Sequence, residues 1–172
     1  MEQIEQGGVT TPKGFAAASV AAGLKYEGRE DMALLYSAEP LVSAGTYTKN
    51  VVKAAPVVWD RRITEGDAPV RAVVVNAGLA NACTGEEGDR VCRETAAAAS
   101  EALGIPEGSV LLASTGVIGQ QIPIDKICFG VSQMAKSLKE TEEAAHAAAR
   151  AIMTTDTHPK EVSFRFNIDG KD

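Results

Sequence analysis

The chain has 172 residues, a formal net charge of −6, 45% hydrophobic and only 5% aromatic residues. That length suits one domain with a sizeable aliphatic core, and an acidic chain without a basic cluster is a poor partner for nucleic acid or an anionic membrane. No apolar run reaches membrane-spanning length, the N-terminus MEQIEQ lacks signal-peptide character, and Cys83, Cys92 and Cys128 show no CxxC spacing, so a soluble cytoplasmic protein with reduced, buried thiols and no metal is expected.

The motif Thr11-Pro12-Lys13-Gly14 predicts an extended lead-in, because the residue before proline avoids the helical region. Lys13 reads as a solvated turn lysine. Three strands are predicted next: a run from Phe15 ended by Gly23, Met32–Tyr36 between Asp31 and Pro40, and Ala44–Thr48. Tyr26–Asp31 reads as a charged turn. Lys53–Ile63 predicts a short helix with Pro56 in its first turn, Val58 and Trp59 inward, Arg61 and Arg62 outward. Val70–Asn76, VRAVVVN, is apolar without interruption from Ala72 to Val75, which predicts a central strand covered on both faces.

The loop Ala77–Gly85, AGLANACTG, is built of small residues. It lacks the lysine of a P-loop and GxGxxG spacing, so phosphate binding is a poor fit. Thr84 and Glu87 have capping-box spacing, and a helix to about Leu103 is predicted, stopped by Gly104 and Pro106. Val110–Gly119, VLLASTGVIG, then reads as a buried strand running into a small polar turn. Thr115 offers a hydroxyl and Gly116 a backbone N–H that no Cβ screens. Two such donors converging on one point make an oxyanion hole; an ordinary tight turn is the plainer reading.

A helix over Ile124–Leu138 should bury Ile127, Val131, Met134 and Leu138. A third helix near Thr141 is rich in alanine, and its His146 reads as a surface or packing residue. Ile152–Thr157, IMTTDT, packs three threonines and an aspartate into a helix exit. Either Asx and Thr turns capping the helix or a binding loop fits. Val162–Ile168 alternates as a half-buried strand, and Asp169-Gly170 carries the type I′ hairpin signal. A hairpin whose return strand would start at Lys171, two residues from the end, suggests one piece of a larger protein.

Taken together, VTTPKGFAAASVAAGLK (Val9–Lys25), AAPVVWDRR (Ala54–Arg62), NACTG (Asn81–Gly85), LLASTGVIG (Leu111–Gly119), IPIDKI (Ile122–Ile127) and IMTTDTHPKE (Ile152–Glu161) resemble, in order, the N-terminal part of the ornithine acetyltransferases, the glutamate N-acetyltransferases of arginine biosynthesis. The resemblance covers nearly the whole chain. It implies a layered α/β/β/α sandwich, not a Rossmann sheet, that is incomplete without a downstream chain. It implies acetyl transfer from N-acetylornithine to glutamate by a ping-pong route, without a cofactor. The precursor would cut itself before a threonine beyond Asp172. That threonine becomes the N-terminal nucleophile of the second (beta) chain, its free amine serving as base. Thr115 and Gly116 correspond to the oxyanion hole and Thr154, in preference to Thr155, to a substrate contact. Two alpha and two beta chains would form a heterotetramer. Use of acetyl-CoA as a second acetyl donor is left open. The family usually reads NSGNANACTG where Asn76–Gly85 is NAGLANACTG, so Ala77 and Leu79 remove two polar groups and leave a substrate role for that loop in question. A self-cleaving aminopeptidase of similar fold and a non-catalytic small-ligand module are the competing readings.

Overall fold

The structure is a computed structural model describing residues 1–170. Strands β2 (Phe15–Val20), β3 (Met32–Leu41), β4 (Val70–Leu79) and β5 (Val110–Val117) form one sheet in that order. The first three are antiparallel, and β4 and β5 are parallel, as their connection through the long helix α2 (Gly85–Leu103) requires. A short pair, β1 (Glu2–Ile4) with β6 (Ser163–Arg165), lies apart from it. Helices α1 (Ala55–Glu65), α3 (Ile124–Ser137) and α4 (Glu142–Ala151) complete a mixed α/β fold.

The two-residue alternation of the strands sorts the apolar side chains. Met32, Leu34, Val74 and Leu112 meet Trp59, Val91, Ala96, Val131 and Met134 from α1, α2 and α3 in the main core. Ala17 and Ala33 point the other way, where Ala144, Ala148 and Ala151 of α4 and Val9 pack against them. Small side chains let α4 sit close to the sheet there. The rest of that face is a groove of about 1480 Å³, lined by Leu35, Val75, Phe15 and Phe164 among others. Strand β4 is therefore central, as expected, but Val73 and Val75 are only half-buried.

Several expectations are corrected. Thr11–Gly14 is a turn, not an extended lead-in: Gly14 has φ +84° and the Phe15 N–H reaches the Pro12 carbonyl at 3.4 Å. β3 runs on through Pro40, tolerated where the register shifts between Tyr36 and Leu41. Ala44–Thr48 forms no strand; it has no apolar face to bury, and Tyr47 instead bonds Thr64 at 2.7 Å. In α1 Trp59 is buried but Val58 is exposed. The Thr84–Glu87 capping box does not form, because the Thr84 hydroxyl donates to Asn81 at 2.6 Å and Glu87 pairs with Arg90. Gly104 does end α2, at φ +65°. Cys92 is buried, and that burial pushes its thiol up to about 12; Cys83, expected inside, is exposed.

The C-terminal strand is shorter than its pattern. The strand itself is Ser163–Arg165, paired with β1, and Ile168 makes a single isolated bridge. Val162, Phe164, Phe166 and Ile168, expected to be half-buried, are exposed. Asp169 (φ +51°) and Gly170 (φ +81°) both adopt the left-handed backbone that a type I′ turn needs. A return strand from Lys171 lies outside the described residues.

Candidate active site

Thr115 and Gly116 lie inside β5, not in a turn after it. They pair in parallel register with Ala77 and Gly78, and the ladder continues to Leu79 and Val117. Beyond the ladder, Ala80 N–H donates to Val117 O at 2.9 Å and Gly119 N–H to Ala82 O at 2.9 Å. Two strands thus travel together past the point where the sequence suggests a loop. Ala77 and Leu79, the two apolar departures, are buried in this stretch. Their side chains are buried in the fold, so apolar residues fit these positions.

The approach of the two strands is set by glycines. A Cβ on Gly116 would fall 2.2 Å from the Gly78 carbonyl carbon and 2.3 Å from its oxygen, and Gly116 has φ +132°. Only a residue without Cβ fits. β5 is an edge strand of its sheet. Its outward-facing backbone is taken up by α1: Trp59 Nε1 donates to Val110 O at 3.0 Å, and Leu112 N–H donates to Asp60 Oδ1 at 2.9 Å. In a strand the N–H groups alternate in direction. Leu112 N–H points away from β4, and an unbroken alternation would turn Gly116 N–H the same way, four residues on. Thr115 is exposed, and its hydroxyl has no hydrogen-bond partner among the described residues. Thr115 and Gly116 are thus consecutive residues on the strand at the sheet edge, beyond the part that α1 covers.

Asn76 is buried within β4 and donates from Nδ2 to Leu79 O at 2.8 Å, bracing the strand end. Asp31, fully buried, collects Ala22 N–H at 2.7 Å and Leu24 N–H at 2.6 Å on its two carboxylate oxygens. Its carbonyl accepts from Ala77 N–H at 2.8 Å. Asp31 thereby folds the 21–26 segment over β4. Lys25 and Tyr26 come to rest against Gly78, and Arg29 stacks on Tyr26 with 4.6 Å between its Cζ and the ring centroid. Arg29 then donates to the carbonyl of Met153.

Thr154 follows Met153, just past the C-terminus of α4. Its N–H donates to Asp156 Oδ2 at 3.3 Å, and Lys160 pairs with the other carboxylate oxygen. The Lys160 hydrogen bond, with the Thr154 N–H second, holds the Asp156 carboxyl below the usual range. Asp156 thus accepts from the backbone two residues before it, the reverse of an Asx turn; the end of α4 is closed instead by backbone N–H groups on the Ala148 and Arg150 carbonyls, and the Thr154 hydroxyl takes no part in it. The half-buried Thr154 side chain and the exposed Thr155 have no hydrogen-bond partners among the described residues. His146 bonds Glu161 at 2.8 Å and ties α4 to the segment that follows, a packing role as expected.

The structure therefore places Thr115 beside Gly116 and connects them to the Thr154 loop through Gly78, Tyr26 and Arg29. The sequence reads Tyr26–Asp31 as a charged turn, which does not reveal this bridge. Its one legible signal was Asp31, an acidic residue opening an apolar strand. Among the described residues no group of His, Cys, Asp or Glu is placed to hold a metal, and no helix is long and apolar enough to cross a membrane.

Comparison with known proteins bears on this geometry. The sequence model described as the ArgJ family matches residues 16–172. The arginine biosynthesis bifunctional protein ArgJ of Symbiobacterium thermophilum is 49% identical over 166 residues, covering 95% of this chain and 40% of its own length. That of Gloeobacter violaceus is 45% identical, covering 96% of this chain and 40% of itself. Among solved structures, the arginine biosynthesis bifunctional protein argJ from Bacillus halodurans superposes with a TM-score of 0.92 at 38% identity, over 98% of this chain and 87% of that one. Ornithine acetyltransferase complexed with ornithine, from Mycobacterium tuberculosis, gives 0.89 at 41% identity, over 94% of this chain and 86% of that one. The chain thus spans about 40% of the length of these curated relatives.

Proposed function

This chain belongs to the ArgJ family, and from that membership we propose that it forms one side of the active site of an acetyltransferase that moves acetyl from N-acetylornithine to glutamate. The observation that carries the reading is the Gly78–Gly116 contact at the edge of β5, which fixes the backbone beside the exposed Thr115; the reading makes Thr115 Oγ–H and Gly116 N–H the two donors. In this reading the N-terminal threonine of a downstream chain attacks the acetyl carbonyl. The pair receives the negative charge that develops on the carbonyl oxygen. The threonine's own amine takes the hydroxyl proton and returns it to the departing ornithine amine. Glutamate then attacks the acetyl-threonine, and the same two donors serve the second tetrahedral intermediate. Thr154 orients the amino-acid part of the donor.

The partner in this proposal is the downstream chain of the same precursor. The open sheet face with Leu35 and Val75, and the exposed Phe164 and Phe166, offer it an apolar surface. It would supply the second β layer of an α/β/β/α sandwich, two such pairs would associate as a cytoplasmic heterotetramer, and no cofactor is needed. The bifunctional label of the relatives favours acetyl-CoA as a second donor. A single experiment tests the reading. The complete protein is mixed with N-acetylornithine in the absence of glutamate. One equivalent of ornithine per active site should appear, with one acetyl group gained on the downstream chain by mass spectrometry. Ornithine release without acetyl-enzyme would refute the ping-pong route.

A further inference from the structure

Helix α4 ends at Ala151, and the carbonyls of a helix's last turn lack partners within the helix. The carbonyl of Met153, just past that end, is taken by the Arg29 guanidinium. This places a positive charge at the negative end of the helix dipole. The guanidinium also lies flat enough over Tyr26 to sit 4.6 Å from its centroid. On its other side Tyr26 presses on β4: a Cβ at Gly78 would fall 3.2 Å from Tyr26 Cε2 and 2.9 Å from Lys25 Cβ. Gly78 in turn is the residue against which Gly116 packs. One unbroken set of contacts therefore runs from the backbone before Thr154 to the backbone of Gly116. Its foundation is Asp31, which holds both ends of the 22–31 turn.

We propose that Arg29, stacked on Tyr26, is a positioning residue that fixes the Thr154 loop relative to the Thr115–Gly116 pair, and so sets where the amino-acid part of the acetyl donor lies against the oxyanion site. The inference rests on the acetyltransferase reading. Arginine suits the position because one planar group both stacks on the ring and donates in its own plane. Lysine could reach the carbonyl but would not stack in the same way.

The test uses the complete protein carrying Arg29→Gln, Arg29→Lys or Tyr26→Phe. Arg29→Gln should raise KM for N-acetylornithine about ten-fold or more while kcat stays within about three-fold, the signature of lost substrate positioning. Self-cleavage and melting temperature should stay close to wild type. Amide exchange over residues 152–155 should quicken. Arg29→Lys should recover part of the KM loss, and Tyr26→Phe, which keeps the ring that Arg29 stacks on, should raise KM less than Arg29→Gln does. An Arg29→Gln protein with wild-type KM overturns the proposal, as does a joint fall in kcat and melting temperature at unchanged KM. A wild-type protein that transfers no acetyl overturns the acetyltransferase reading instead. Loop exchange then decides the positioning link alone: unchanged exchange in Arg29→Gln overturns it, and faster exchange upholds it.

Discussion

Thr115 and Thr154 both present hydroxyls without partners among the described residues, but their surroundings are opposite. Thr115 rides on a strand whose preceding residues Val110 and Leu112 are buried, whose outer edge is clamped by Trp59 and Asp60, and whose next residue lies too close to the Gly78 backbone to carry a Cβ. Thr154 sits on a loop shaped by an exposed aspartate, an exposed lysine and Arg29. The difference is one of tolerance. Donors that stabilise developing charge act only at a fixed point, so they belong on packed backbone. A group that orients a substrate can sit on a loop positioned by a scaffold.

The largest effect should come from the packed side. In Gly116→Ala the new Cβ meets Gly78 backbone, which has no flexible end to move away, and the left-handed φ adds strain. A loss of about 4 kcal/mol or more is expected, read as failure to obtain soluble, cleaved enzyme. Gly119→Ala, at φ +77° with nothing within 4 Å of a Cβ, should cost only about 1–2 kcal/mol. Equal losses at the two glycines would break the distinction drawn between them.

Thr115→Ala comes next, and it separates activity from stability. The side chain is exposed and unbonded, so melting temperature should not move. Loss of one oxyanion donor should lower kcat about 10²–10³-fold, or about 2.7–4 kcal/mol, with little change in KM. Thr115→Ser should retain much of the activity. Turnover of a correctly cleaved Thr115→Ala enzyme within a few-fold of wild type would remove Thr115 from the mechanism.

What the sequence made legible follows the same division. The glycine stop at Gly104, the apolar faces of α2 and α3, and the central place of Val70–Asn76 were readable because each rests on local pattern. The Thr115–Gly116 motif was readable as a pair of donors. That it lies within a strand was not, because the cause is Gly78, 38 positions earlier, and small residues at Ala77–Leu79 look like a loop when read alone. Of the Arg29 bridge only its foundation, Asp31, left a trace in the sequence, for the same reason. The partners of Arg29, Tyr26 and Met153, meet only after α4 has been laid on the sheet. The capping box failed because Asn81, buried nearby, competes for the Thr84 hydroxyl.

A pH experiment probes the clamp on β5. Burial pushes the Asp60 carboxyl up to about 6 from 3.8, against the downward pull of the Leu112 N–H. The folded chain keeps its proton at pH values where the unfolded chain has lost it. The stability linked to that proton is therefore fully present below pH 3.8 and is lost as pH rises through about 6. Asp60→Asn keeps an amide oxygen for Leu112 and removes the charge. It should be more stable than wild type at pH 7 by roughly 1 kcal/mol, a figure reduced for the solvent that reaches this part-buried group. The advantage should vanish near pH 4. An Asn variant less stable at pH 7 would show that the charged hydrogen bond outweighs the cost of burial.

The smallest effect should fall on the loop. Thr154→Val preserves the branched shape and deletes the hydroxyl. The hydrogen bond from the backbone N–H of residue 154 to the Asp156 carboxylate survives the change, so that link and the end of α4 should hold. If the hydroxyl binds the amino-acid part of the donor, affinity should drop by roughly 0.5–1.5 kcal/mol for a neutral hydrogen bond, and by more for a charged partner. KM should carry the loss, because the contact is the same in ground and transition states. Melting temperature should stay near wild type. A capping role for the hydroxyl predicts the reverse, lower stability with unaltered kinetics. Only the first outcome fits a loop whose fold is maintained by backbone and carboxylate while its hydroxyl is left for a ligand.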